Sequence, residues 1–355
     1  MPTVALIGSF DAGAAELFDA AVGPHAVEDS QRRVALRSGT LSVPDQDLQR
    51  LAETLGSAKT SEAELTLWDY PNNALHTGGP TEAEWIGHLR GADVLLALVE
   101  VDDGDAVGPQ ADQTLSDLRA ELALLDLLVL EGAIARAGEG AESGPRKERR
   151  VMAARHELLN RVRTALEAAR PIGDIGLSTP ESLDLRGLAL FSAKPVAVAL
   201  NVTDAAVAEA LVWLERKRDP AWCIVAGATE AQLHDLEPPD AAAFRDDLGL
   251  TTDTATRVAR AVLAAAGLLT FYTANDQAAT AWLLPRGSTA VEAAGTVHSD
   301  LAAGFIRTDV ASLDELLDVG GLAPLREAGR LRREGREYVV ADRDFLTIHF
   351  SRPAR

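Results

Sequence analysis

The sequence predicts an α/β protein: a mostly parallel sheet interrupted by an antiparallel helical hairpin, with a smaller β-rich region at the C-terminal end. Short, near-continuously apolar runs alternate with helical patterns, as expected of strands buried on both faces of a parallel sheet. A stretch of helical periodicity separates two sets of these runs, and short strand-like runs and turns follow from Leu268.

Val4 to Ile7 is a short buried-type strand, followed by a Gly8 to Gly13 loop and an amphipathic stretch beginning near Ala14. Leu65 to Trp68 and Val94 to Val99 read as further strands, with a helical pattern from Thr81 to Arg90 between them. After Pro109 the apolar residues Leu115, Leu118, Leu122, Leu125 and Val129 recur at spacings of three and four, which predicts a helix–helix seam. Gly138 to Pro145 reads as a polar, glycine-rich break. A second helix follows, with Met152, Leu159, Val162 and Leu166 on one side, closed before Pro171.

Strand signals resume at Pro195 to Leu200 and Trp222 to Val225, with a helix from Ala205 to Arg216 between them. The hairpin therefore interrupts one α/β domain. Leu268 to Thr273 opens the last region, with Ala281 to Leu284, Tyr338 to Val340 and Phe345 to Phe350 as its later strands. The expected organisation is residues 1–108 and 183–266 for the α/β domain, 109–182 for the hairpin and 267–355 for the C-terminal domain. No internal repeat is visible.

At 355 residues the chain is long enough for one large core or a few modest ones, and 47% hydrophobic with 25% charged content is ordinary for a globular protein. Its longest apolar runs are far too short to span a bilayer. The start of the chain has no basic segment or cleavage site of a signal peptide. The single cysteine, Cys223, excludes an internal disulfide framework and suits a reducing compartment. A soluble, cytoplasmic protein without membrane contact is expected.

The formal charge of −20 argues against a generally basic, nucleic-acid-coating surface. The charge is uneven, however. Between Arg146 and Arg170 stand Arg146, Lys147, Arg149, Arg150, Arg155, Arg161, Arg163 and Arg170, against Glu148, Glu157 and Glu167. A second basic-leaning stretch runs from Arg326 onward. Such a cluster is either a solvated helix face or a local footprint for RNA or a ribosomal surface. On the second reading Arg146, Lys147, Arg149, Arg150 and Arg155 are the candidate contacts.

The C-terminal region carries a specific pattern. Leu268-Leu269-Thr270-Phe271-Tyr272-Thr273 is followed by Ala281-Trp282, by Arg286-Gly287-Ser288-Thr289-Ala290 and by Val297-His298-Ser299-Asp300. Gly304-Phe305-Ile306-Arg307 and Glu334-Gly335-Arg336-Glu337-Tyr338-Val339-Val340 complete it. This order resembles the TGS domain, a small β-grasp module of ubiquitin-like shape, of the Obg-like ATPase or YchF family. Upstream, Phe244 to Leu250 looks like the segment preceding that domain. Asn201-Val202-Thr203-Asp204 resembles the family's base-reading Asn-x-x-Glu, and Val43-Pro44-Asp45 resembles the strand and helix after its first switch. The resemblance spans nearly the whole chain and implies a P-loop NTPase-like domain with a hairpin insertion. One departure is Arg343, where the family usually has a turn glycine.

A working P-loop reads Gly-x-x-x-x-Gly-Lys-Ser/Thr, with its lysine on the phosphates and its hydroxyl on Mg²⁺. The corresponding stretch here runs from Gly8 through Asp11 and Gly13, with Ala14 at the lysine position and Ala15 at the hydroxyl position. Asp11 and Glu16 place carboxylates where a helix N-terminus would otherwise attract phosphate. Asp69 survives as a weak candidate for the Mg²⁺-side carboxylate. The glycine expected to meet the γ-phosphate is Asn72, and the expected switch threonine is absent from Arg32-Arg33-Val34-Ala35. Asn201 and Asp204 remain as candidate base-side residues, and the loop expected as Ser-Ala-Lys reads Ala226-Gly227-Ala228. Asparagine also commonly ends strands and caps helices.

The seven histidines are scattered without metal-ligand spacing, and Cys223 reads as a buried, inert thiol. The resemblance and these losses together imply a non-hydrolysing binding or regulatory protein associated with ribosomes or RNA, with no cofactor. Two alternatives stay open. One is an ATPase that still binds ATP or GTP with Mg²⁺ and hydrolyses weakly or with a partner's help. The other is a protein–protein adaptor acting through the TGS domain.

Overall fold

The structure is a computed structural model and describes residues 1–8, 13–23, 26–29, 36–70, 80–101, 107–143 and 145–351. Its centre is β1 (Thr3–Gly8), whose last five residues are buried because parallel partners flank it and helices cover both its faces. The larger sheet has seven strands in the order β2 (Val27–Asp29), β3 (Leu36–Val43), β5 (Ala63–Asp69), β1, β6 (Val94–Val101), β7 (Val196–Val202), β8 (Trp222–Val225). The run from β5 to β8 is parallel, while β2 and β3 form an antiparallel edge. The runs expected as strands of this sheet are all present. Of the antiparallel edge, only the end of β3 at Val43 was expected, from the resemblance; the apolar pattern does not announce the rest, because β3 carries polar residues and is only intermittently buried.

One face of this sheet is covered by α1 (Ala14–Val22) and α10 (Thr254–Ala265), through Leu17, Phe18, Val22, Val258 and Val262. The other face is covered by α3 (Pro80–Gly91), the first half of α4 (Val107–Glu142) and α7 (Val207–Lys217), through Trp85, Leu89, Val107, Leu115 and Val207. α8 (Gly227–Gln232) and α9 (Pro238–Asp247) lead from β8 to α10.

The helical hairpin is α4 and α5 (Arg146–Glu167), followed by α6 (Thr179–Arg186). Two expectations need correction here. Leu115, Leu118 and Leu122 pack on the sheet, and the hairpin seam begins further along, where Leu130, Ala133 and Ala137 meet Leu158, Leu159, Val162 and Leu166. A helix of 36 residues is about 54 Å long, so one three-four spacing serves two partners in turn. The break expected over Gly138 to Pro145 is also shorter than that, because α4 runs on to Glu142 and α5 starts at Arg146. Gly140 lets α5 approach, since a Cβ there would lie 2.9 Å from Met152 Cγ. Midway along α4 the fully buried Asp126 accepts hydrogen bonds from Phe191 N at 3.0 Å, Ser192 N at 2.8 Å and Arg90 Nη1 at 2.9 Å, which fastens the arm to the domain.

The C-terminal sheet has the order β12 (Arg332–Glu334), β11 (Phe305–Ser312), β13 (Asp344–Phe350), β9 (Leu268–Ala274), β10 (Ala279–Pro285), β4 (Thr60–Ser61). A parallel β13–β9 pair at the centre of two antiparallel arms is the arrangement expected of a β-grasp module. One face carries α11 (Ala290–Val297) and α12 (Ser299–Ala303). The opposite face packs on α2 (Gln46–Leu55), α13 (Leu313–Val319) and α14 (Leu322–Glu327), through Leu48, Leu51, Leu316 and Leu325. Tyr338 to Val340 is not a strand. It makes a single bridge, Val339 to Thr289, and is strapped to the start of α11 by Ala290 N donating to Tyr338 O at 2.8 Å.

α2 and β4 belong to the first part of the chain yet complete the C-terminal core, so the two sheets share a joint. Arg343 crosses it. Its Nη2 donates to Asp47 at 2.7 Å and Asp314 at 2.6 Å, and its φ of 66° is the left-handed backbone a turn glycine would adopt. Tyr272 OH donates to Asp45, the N-cap of α2.

Candidate nucleotide-side site and basic arm

The strands of an open parallel sheet present their C-terminal ends to ligands where neighbouring connections leave in opposite directions. Here that edge gathers Gly8 at the end of β1, Gly13 to Ala15 at the start of α1, Asp69 at the end of β5, and Asn201 and Asp204 at the end of β7. Asp11, Asn72 and the Arg32 to Ala35 segment lie outside the described residues.

Gly13 is the N-cap of α1 with φ 74°, and no side chain caps the helix. A Cβ there would sit 2.5 Å from Asn201 Nδ2, so both the backbone and the available space demand glycine. Ala14 and Ala15 are the first two helical residues and Glu16 is exposed beside them. The turn therefore offers two methyl groups and a carboxylate where a phosphate site needs a cation and a hydroxyl.

Asn201 Oδ1 accepts a hydrogen bond from Gly227 N at 3.1 Å, which ties β7 to the start of α8. Asp204 accepts from the Thr229 hydroxyl at 2.8 and 2.9 Å. Both candidate base-side residues thus brace the Ala226-Gly227-Ala228 loop. Beneath the loop lies a pair that the sequence reading missed: buried Glu230 accepts from Ala226 N at 3.0 Å and from Arg257 Nη2 at 2.5 and 2.6 Å. Arg257 also donates to Ile224 O at 2.9 Å and to Thr252 O. A glutamate and an arginine 27 positions apart on helices carry no sequence signal of pairing.

The second missed residue is Arg37. It stands opposite Asp69 in the antiparallel β3–β5 register. Its Nε and Nη2 both donate to Asp69 Oδ2, at 2.9 and 2.6 Å, and its Nη1 donates to Asp19 Oδ1 at 2.9 Å. The guanidinium lies 4.5 Å over the Phe18 ring. Asp69 is 1% exposed, and its Oδ1 has no hydrogen-bond partner among the described residues. Burial pushes its carboxyl above the ordinary range, by more than the bonds from Arg37 pull it down.

Mg²⁺ requires near-octahedral oxygen ligands and is commonly held by carboxylates together with substrate phosphates. Ala15 supplies no oxygen from its side chain, and the Asp69 carboxylate is engaged by a guanidinium. These residues do not fit a magnesium ion. No group of three or more His, Cys, Asp or Glu side chains could hold a metal among the described residues. Cys223 is buried, and burial pushes its thiol up to about 12, as expected of an inert cysteine.

The basic arm is remote from this edge in the fold. Arg146, Lys147, Arg149 and Arg150 occupy the first turns of α5 and are all exposed, whereas Arg155 pairs with Asp184 at 3.4 Å. An open groove of about 740 Å³ runs between α4 and α5 here, with Arg136, Lys147, Met152 and Arg155 among its walls.

A family profile named YchF-GTPase_C, described as a protein of unknown function (DUF933), matches residues 268–351. The ribosome-binding ATPase YchF of Bacillus subtilis strain 168 is 27% identical over 369 residues, covering 98% of this chain and 99% of that protein. Its namesake in Escherichia coli O157:H7 is 28% identical over 366 residues, with 98% of each chain covered. Obg-like ATPase 1 of Oryza sativa subsp. indica is 25% identical, covering 87% of this chain and 81% of that protein. Among solved structures, the YchF GTPase of Schizosaccharomyces pombe superimposes with a TM-score of 0.76 over 98% of this chain and 97% of that one, at 21% identity, and shares the fold.

Sheet order, helical arm and C-terminal module define a P-loop-type α/β domain joined to a small β-grasp domain. Over nearly its whole length the chain is similar to proteins of the YchF family. No helix among the described residues is long and apolar enough to cross a membrane.

Proposed function

We propose that this chain is a cytoplasmic YchF-family protein that associates with the ribosome or with RNA through its helical arm and does not hydrolyse a nucleotide. The first turn of α1 carries the reading, with Ala14 and Ala15 at the positions that bind phosphate and metal. Phosphoryl transfer depends on positioned charge, and losing one such contact costs about 2.7–4 kcal/mol, or a factor of roughly 10²–10³. Lysine, hydroxyl and a free metal-side carboxylate are missing together. The positions of Gly8, Gly13, Asn201 and Asp204 are on this reading remnants that keep the loops in shape, and Asp11 is a remnant position of the same motif in the sequence.

The names of the bacterial relatives support the partner class, and the arm supplies a surface for it. Cations at a helix N-terminus oppose the helix dipole by about 0.3–1 kcal/mol each. Arg146 and Lys147 accept that cost in a first turn capped by Pro145 without a side-chain hydrogen bond, where Glu148 is the one acid, and Arg149 and Arg150 follow in the next turn. A polyanion docking there offsets it, and arginine pairs with phosphate bidentately.

Co-sedimentation with ribosomes tests the proposal, with phosphate release measured on the same samples. Pelleting is expected at low salt and should weaken as salt rises. Reversing the four charges to glutamate should weaken it sharply, the log–log salt dependence of the remaining binding flattening by roughly 0.7–0.9 per lost phosphate contact. Phosphate release should stay at background. Absence of pelleting at low salt defeats the ribosome assignment and favours the adaptor role, and turnover of ATP or GTP defeats the non-hydrolysing one.

A further inference from the structure

We propose that Arg37 is an internal cation standing in for the magnesium ion of this site, so that β3 is held to the phosphate-side carboxylate permanently and without a nucleotide. The inference deepens the non-hydrolysing reading and rests on it only in that both require the metal to be absent.

Geometry carries the assignment. One guanidinium joins three elements: β3, on which Arg37 lies; β5, through Asp69; and α1, through Asp19 and the Ala15 carbonyl, which accepts from Nη2 at 3.5 Å. These elements line the phosphate side of the fold. In nucleotide switches the segments around such a site are ordered by Mg²⁺ and the γ-phosphate and are released when the phosphate leaves. Here the contact comes from the chain itself, so it has no released state. The tether is also well supported. Arg37 is 19% exposed, Asp69 is 2% exposed at its side chain, and the Phe18 ring lies beneath the guanidinium.

Electrostatics excludes the metal for as long as the arginine stays. A divalent ion brought to Asp69 would share its carboxylate with a fixed positive charge in a poorly solvated place, where like charges repel strongly. The neighbouring carboxylate, Asp19, is bound to the same guanidinium. Moving Arg37 aside would strand a buried carboxylate, and breaking a buried pair by removing one partner is strongly destabilising. Arg37 and Mg²⁺ are therefore alternatives at this position, and the sequence has installed the one that cannot diffuse away. The chain is a constitutive form of the fold whose partner binding is not gated by ATP or GTP.

The test uses the full chain with Arg37→Met, Asp69→Asn and the double variant, unfolded in urea at neutral pH with and without millimolar MgCl₂. The wild-type midpoint should be indifferent to MgCl₂. Arg37→Met should raise the unfolding constant about 10²–10³-fold, and the double variant should recover most of that loss because the stranded charge is gone. Should Arg37→Met fail to fold, the wild type still decides. Its Arg37 Nε–H resonance in ¹⁵N NMR should exchange slowly and stay in place on adding MgCl₂ with ATP, ADP or GTP. Equal losses in the single Arg37 variant and the double variant overturn the inference, as does an Asp69-dependent stabilisation by MgCl₂ or a displaced Arg37 signal. A displaced signal without phosphate release sinks this inference and leaves the proposed function standing. Phosphate release with an unmoved signal sinks the proposed function alone.

Discussion

A methyl group's worth of space decides one strand of the large sheet. Gly39 in β3 lies under α1, and a Cβ built on it would meet Val22 Cγ1 at 2.1 Å and Cγ2 at 2.7 Å. The clash is with a β-branched side chain in the core, and such a chain has little rotamer freedom to yield. Gly39→Ala should therefore destabilise the chain by about 1–3 kcal/mol, the usual cost of overpacking. Adding Val22→Ala should recover part of the loss, and urea unfolding of both variants measures it. A single alanine variant as stable as the wild type would show that α1 can lift at no cost. At this scale the motif residues were legible: Gly13, Asn201 and Asp204 are recognisable by order along the chain, and the structure brings them to one edge. Their partners were not. Arg37 meets Asp69 only through an antiparallel register set by the whole sheet, and Glu230 meets Arg257 only through helix packing. Neither relation leaves a mark in local spacing.

Elements differ in legibility for equally physical reasons. Central strands such as β6 are buried along nearly their full length and announce themselves as apolar runs. β3 is half-covered by α1 and α10 and reads as a polar segment. In α4 the periodicity was correct but its partner was misassigned, because a helical stripe does not say what it packs against. The start of α6 shows what local chemistry can say. The Glu181 carboxylate accepts from Ser178 N and Ser178 Oγ, both at 2.7 Å, and from Arg161 Nη1 at 2.6 Å. The Ser178 bonds chiefly, with Arg161 assisting, hold the Glu181 carboxyl at about 2, below its ordinary 4.5. A depressed acid stabilises the fold fully above its unfolded value and ceases to do so as pH falls through its folded one. Protection of the Ser178 amide should thus decline between pH 4.5 and about 2. In Glu181→Gln that decline should vanish, and hydrogen exchange followed by NMR across this window distinguishes the two. Persistent protection at the acid end would mean the helix start is held by packing instead.

At the scale of the whole molecule, the question is what keeps the C-terminal domain seated on the α/β domain. The joint consists of α2 in the C-terminal core, β4 added to the edge of β10, and the side chain of Arg343. Resemblance places a glycine where Arg343 stands, and the observed φ of 66° explains why. Two opposing terms then set the outcome of Arg343→Gly. Relieving a non-glycine residue of left-handed backbone gains on the order of 1 kcal/mol. Losing contacts to Asp47 and Asp314 costs little, since the Arg343 side chain is 37% exposed and exposed pairs are worth about 0–1 kcal/mol each. Glycine's extra freedom in the unfolded chain weighs on the same side as that loss. Overall stability should consequently change by less than about 1 kcal/mol. The joint itself should loosen, because the ion pair removed is one of the contacts that span it, beside the Tyr272–Asp45 hydrogen bond. The amides of Ala58 and Ala279, which donate to Asp276 O at 3.1 Å and Lys59 O at 3.0 Å across the β4 seam, should exchange faster in the variant. Acid provides a second reading. Hydrogen bonding from Arg343 is the leading cause that holds the Asp47 carboxyl below its ordinary 3.8. Its contribution is therefore complete above that value and is lost as pH falls through the depressed one. In Arg343→Gly that loss should be largely absent, leaving the seam amides fast at every pH. Hydrogen exchange with mass spectrometry over residues 57–61 and 275–281 separates this from a simple loss of stability, in which all core amides would accelerate together.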